Sequence, residues 1–133
     1  MIIADTNVLL RAALDDDPAQ SREARRCLAE ADGIAVPIQV LCEFVWVASR
    51  SYRLKSRDIA SSVLLLLNDG KVHCDREAAL AGLEFMIAGG DFADGIIEFE
   101  GRARGGDLFA TFDRQAAEIV AGKGRGCILL APD

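Results

Sequence analysis

Met1-Ile2-Ile3-Ala4-Asp5-Thr6-Asn7-Val8-Leu9-Leu10-Arg11 is the stretch on which the reading of the fold turns. Its first four residues are apolar and read as a short buried strand, Met1–Ala4. Three side chains suited to capping a helix follow, Asp5, Thr6 and Asn7, so Val8–Ala13 reads as a short helix. Further along, Asp15-Asp16-Asp17-Pro18 starts a second helix, acidic at its amino end with proline in the first turn, running to about Ala31. Ile34-Ala35-Val36 reads as a second strand, and Pro37 opens a helix to about Arg50. A helix over Ser56–Asn68 holds the run Val63-Leu64-Leu65-Leu66-Leu67. Asp69-Gly70 turns into a third strand, Lys71–Cys74, and Asp75 caps a helix to Ile87. Gly89-Gly90 and Gly105-Gly106 bracket a helix over Phe92–Arg104. Strand Leu108–Thr111, a helix from Asp113 to Ala121, and strand Cys127–Leu130 complete the chain.

Five short apolar strands separated by helices predict an α/β fold of three layers, with a mainly parallel five-stranded sheet between helices. At 133 residues, one domain over 1–133 is expected. Ligands of such sheets bind at the carboxyl ends of the strands. Asp5 and Asp113 fall at or just beyond two of those ends.

The bulk composition narrows the options. Apolar residues make up 51% of the chain and charged ones 27%, which excludes disorder. No apolar run approaches the roughly 20 residues that span a bilayer, and the opening residues do not resemble a secretory leader. No membrane association and a cytoplasmic location are therefore expected. Cys27, Cys42, Cys74 and Cys127 form no metal-knuckle or disulfide pattern and read as buried free thiols. His73, the one histidine, reads as structural or surface. The net charge of −6 argues, by itself, against nucleic acid. Carboxylates gathered on metal ions would neutralise part of it, and the basic residues are 12 Arg to 3 Lys, a bias suited to phosphate contacts.

Each candidate acid has an ordinary role to set against a chemical one. Asp5 and Asp113 are each good helix caps. Glu43 lies between Val40-Leu41-Cys42 and Phe44-Val45-Trp46-Val47, on a helix so apolar that most of its surface should be buried. A carboxylate there needs a cation or hydrogen-bond donors. It is either an ion-pair partner of an arginine or a metal ligand or general base. In Gly89-Gly90-Asp91-Phe92-Ala93-Asp94-Gly95-Ile96-Ile97, Asp91 suits a cap, whereas Asp94 aligns with Glu98 and Arg102 on one polar face. Glu98 is expected at the same cleft edge, and Arg102 in an ion pair or on phosphate. Four converging acids with no cluster of Lys or His repel one another unless a hard cation lies between them, and Mg²⁺ or Mn²⁺ prefers such oxygens.

Met1–Arg11, Cys42-Glu43-Phe44, Asp91–Ile97 and Thr111-Phe112-Asp113-Arg114 resemble, in order and spacing, the four motifs of PIN domains. The chain's size and its Asp-Phe-Ala-Asp form are similar to the VapC-type toxins of bacterial toxin–antitoxin pairs. That resemblance implies a Mg²⁺- or Mn²⁺-dependent endoribonuclease acting on RNA, silenced by a cognate antitoxin and paired as a homodimer. Matched position by position, it implies Asp5, Glu43, Asp94 and Asp113 as catalytic and metal-binding acids. Asp91, Thr6, Asn7 and Thr111 become accessory residues that support the acids or touch phosphate. A haloacid-dehalogenase hydrolase would need a second aspartate at position 7, which is Asn. A response-regulator receiver would need an acidic pair before its acceptor strand. A PIN-fold scaffold that binds RNA or protein without cutting is the rival from another class.

Overall fold

The computed structural model describes residues 1–132, as two compact units, 1–76 and 77 onward. The amino-terminal unit runs β1 (Ile2–Ile3), α1 (Thr6–Ala13), α2 (Pro18–Glu30), β2 (Ile34–Ala35), α3 (Ile38–Arg50), α4 (Ser56–Asn68) and β3 (Val72–His73). Its three strands form one parallel sheet in the order β1-β2-β3, with Ile2 opposite Ile34 and Ile34 opposite Val72. Parallel neighbours need crossovers; α1 and α2 supply the first, α3 and α4 the second.

The helices form where the apolar spacing puts them. On α3, Leu41, Phe44, Val45 and Ala48 are buried at helical intervals, while Gln39, Glu43, Trp46 and Arg50 stay exposed. On α4, Ile59, Val63 and Leu67 enter the core, whereas Leu65 is 75% exposed. α2 starts as its sequence indicates: Asp17 accepts a hydrogen bond from the Gln20 amide and Pro18 takes the first turn.

In the carboxy-terminal unit, α5 (Arg76–Ile87, beginning at the boundary) leads to α6 (Phe92–Ala103), β4 (Leu108–Thr111), α7 (Arg114–Gly122) and β5 (Gly126–Leu129). β4 and β5 pair in parallel, Leu108 opposite Gly126 and Thr111 opposite Leu129. Phe85, Ala116 and Val120 are buried together, with Phe109, Ile119 and Cys127 against them. α5 and α6 cross closely at two glycines. A Cβ on Gly95 would lie 2.6 Å from the Ala81 carbonyl oxygen, and one on Gly82 would lie 2.8 Å from the Phe92 ring. Any side chain at either position would push the start of α6 away from α5.

All five expected strands are present, but they do not form one sheet. Among the described residues they make a sheet of three and a sheet of two. β1, β2 and β3 are also only two residues long, so each ladder holds few hydrogen bonds. The expected buried strand Met1–Ala4 is buried only in part: Ala4 is 1% exposed and Ile2 half-buried, but Met1 is 69% and Ile3 77% exposed. α1 starts at Thr6 rather than Val8, because Asp5 itself is its cap. The thiols are not buried either: Cys27 is exposed and Cys42, Cys74 and Cys127 are partly so. No helix of the described residues is long and apolar enough to cross a membrane.

Candidate active site

In the amino-terminal unit, β1 ends two residues before Asp5, whose Oδ1 accepts a hydrogen bond from the Val8 amide at 3.1 Å. The carboxylate thus satisfies one of the orphan amides of α1 and stays exposed. Thr6 is buried in the first turn, and Asn7 is exposed beside it. Glu43 does not match its expected surroundings. It lies on the exposed stripe of α3 and no ion pair of the described residues engages it. The apolar neighbours in sequence turn inward and leave the glutamate outside, because a helix rotates successive residues by about 100°.

In the carboxy-terminal unit, three aspartates interact. Asp91 caps α6, its Oδ1 accepting from the Ala93 amide at 2.7 Å and the Asp94 amide at 3.3 Å. Asp113, just beyond β4, caps α7 by accepting from the Gln115 amide at 2.9 Å and the Ala116 amide at 3.2 Å. Thr111 orients it, since the Thr111 hydroxyl accepts a hydrogen bond from the Asp113 amide at 3.0 Å. Asp94 differs from both. Half-buried in the first turn of α6, it has no hydrogen-bonding or ion-pairing partner for its carboxylate among the described residues. Burial, then the charges of Asp91 and Asp113, push its carboxyl above the usual aspartate range.

Glu98, one turn on, is not at an open acidic edge as expected. It is 5% exposed and held by two arginines. Arg125 reaches it through Nη2 at 2.8 Å and Nε at 3.0 Å, and Arg102 through Nε at 2.6 Å. Burial alone would raise its carboxyl; the hydrogen bonds and charges of Arg125 and Arg102 outweigh that and hold it below the ordinary range. Arg102 takes the ion-pairing option the sequence left open. Arg125 is the partner that sequence reading missed. It lies 27 residues from Glu98, and only the tight turn after α7 brings it back.

The donors at Asp5, Glu43, Asp94 and Asp113 are hard oxygens of the kind Mg²⁺ and Mn²⁺ favour. Among the described residues, no three His, Cys, Asp or Glu side chains are grouped so that they could hold a metal ion. Asp5, Asp91 and Asp113 each bond amides of their own helix, while Asp94 bonds none.

A search of curated proteins finds no match to the chain. The PIN domain profile matches residues 2–122, covering the strand-end aspartates of both units, Glu43 and the whole of α6. On that match across nearly its full length, the chain belongs to the PIN domain family, whose members are in general nucleases.

Proposed function

We propose that this PIN-domain protein is a divalent-metal-dependent endoribonuclease, the toxin of a bacterial toxin–antitoxin pair, acting in the cytoplasm as a homodimer. Asp5, Glu43, Asp94 and Asp113 are the carboxylates on which we place catalysis and metal binding, with Asp91, Thr6, Asn7 and Thr111 in support. The observation that carries this reading is Asp94. Among the described residues it has no structural partner, and burial and two neighbouring aspartates oppose its charge. Such an acid is stabilised in its ionised form only when a cation arrives. Mg²⁺ or Mn²⁺, when bound, supplies a water of lowered pKa and positive charge against the phosphoryl oxygens. The chain's own part is to hold Asp94 still through the glycine crossing of α5 and α6, and to hold Asp113 through Thr111.

The test is cleavage of a labelled RNA by protein purified free of any partner, with Mn²⁺ or Mg²⁺ and with EDTA. Cleavage is expected with metal alone, and its loss in Asp5→Asn, Glu43→Gln and Asp94→Asn with unchanged circular dichroism. Full activity in EDTA would overturn the metal requirement. The toxin assignment predicts that coexpression with the adjacent small reading frame yields an inactive complex. The dimer is checked by light scattering. A PIN-fold scaffold that binds RNA or protein without cutting is the alternative reading. RNA binding without cleavage in the same assay would select it.

A further inference from the structure

The chain carries a net charge of −6, yet residues 44–57 hold four basic residues and no acidic one: Arg50, Arg53, Lys55 and Arg57. All four are exposed. Cations elsewhere are largely engaged: Arg11, Arg25, Arg26, Arg102, Lys123 and Arg125 each pair with a carboxylate. Among the described residues, none of the four in this stretch has an ion pair. Asp58, directly after Arg57, is the nearest acid in sequence and does not bridge to any of them. Surface cations left unpaired in an acidic protein concentrate positive potential in one place.

An exposed aromatic ring lies one helical turn before the first of them. Trp46, the one tryptophan in the chain, is 57% exposed although its helix offers an apolar core to bury it. It lies on the exposed stripe of α3 with Glu43 one turn before it and Arg50 one turn after. Glu43 to Arg50 is seven residues, about 10 Å along the helix, or about three stacked nucleotides. The backbone after α3 is also specialised. Arg53 has φ of 54°, the one non-glycine residue with positive φ among those described, a conformation uncommon for a residue with a Cβ. It turns the chain so that α4 starts within three residues, at Ser56.

We propose that Trp46 and the stretch from Arg50 to Arg57 form a binding track for single-stranded RNA. The cations hold successive phosphates and the indole stacks on an unpaired base. This rests on the nuclease reading and adds which surface selects the substrate and why it is single-stranded: a base must be unstacked to lie on the ring. Glu43, at the head of the stripe, marks the end of the track at which the reaction is placed.

The test uses the whole protein and a fluorescein-labelled 12-nucleotide oligoribonucleotide without secondary structure, in EDTA so that binding is read without cleavage. Anisotropy is measured across a salt series, and the Trp46 fluorescence is followed in a parallel titration with unlabelled RNA. Binding that quenches the indole is expected. Arg53→Ala/Arg57→Ala should weaken it about ten-fold and lower the salt slope by about 1.4, as for two lost contacts to a single strand. Trp46→Ala should weaken it about five- to a hundred-fold, whereas Trp46→Phe should restore most of the loss. No binding by wild type, or unchanged affinity and salt slope in the double variant, overturns the proposal. So does binding of poly-glutamate with no binding of RNA, which would assign the surface to an acidic protein. A Mn²⁺ cleavage arm separates the two readings. RNA bound on this track but never cut overturns the nuclease and leaves the track. RNA cut with unaltered KM by the double variant does the reverse.

Discussion

Two successive turns of α6 treat their acids in opposite ways. In the first turn Asp94 faces Asp91 and Asp113, finds no donor and is pushed towards its neutral form. In the second, Glu98 is more deeply buried, yet Arg102 and Arg125 hold it charged. One helix face thus carries a carboxylate with no structural partner among the described residues and, one turn later, a carboxylate that ties the turn before β5 to α6. Burial alone does not single out an acid for chemistry; burial without a partner is the feature on which the proposed role of Asp94 rests.

Activity offers the largest way to break that contrast. Asp94→Asn should lower RNA cleavage by about a hundred-fold or more, the scale of removing one charged group from a phosphoryl-transfer site. Thermal stability should be unharmed. A variant that melts lower and still cuts would show Asp94 to be structural.

Next in size is the ion-pair cluster. Glu98→Gln leaves the partly buried Arg125 and the exposed Arg102 without their counter-charge and should cost about 1.5–2 kcal/mol, the scale of hydrogen bonds to a charged group, read as a fall in the urea midpoint. Arg125→Met should cost less, because Arg102 still faces Glu98. If Glu98→Gln is neutral, the cluster contributes nothing and the contrast loses one side.

The third prediction is in the pH dependence. Glu98 is held low, so its stabilisation is present above its unfolded pKa and is lost as pH falls through the folded one. Asp94 is held high, so its ionisation penalty is absent in acid and grows as pH rises from about 4. Melting curves from pH 3 to 7 should show Glu98→Gln flattening the acid limb. Asp94→Asn should flatten the decline above pH 4, gaining under about 1 kcal/mol since the group is only half-buried. Identical pH profiles for both variants and wild type would contradict both assignments.

Smaller effects separate cap from bystander. Asp113→Ala removes two hydrogen bonds to the amides of α7 and should cost about 1 kcal/mol, and Asp91→Ala the same for α6. Glu43→Gln, exposed and unpaired, should change stability by under about 0.5 kcal/mol. A stability loss there would reveal a partner. The pair Glu43→Gln and Asp113→Ala therefore separates loss of activity from loss of fold.

Local pattern was enough for much of this protein. Apolar spacing and capping residues located seven helices and five strands to within a few residues, because a cap and the amides it serves lie within three positions of each other. The four motifs in order were enough to indicate the family. What depended on distant parts of the chain was not legible. Glu43 is flanked by apolar residues in sequence, but helical rotation about α3, set by which face meets the core, leaves it outside. Glu98 and Asp94 share one polar face on paper. Arg102, one turn on, and Arg125, returned from 27 residues away, make Glu98 a paired structural acid, and neither pairs with Asp94. The pairing of strands into a sheet of three and a sheet of two likewise rests on edge-to-edge hydrogen bonding between remote segments, for which an apolar run of two to four residues carries no address.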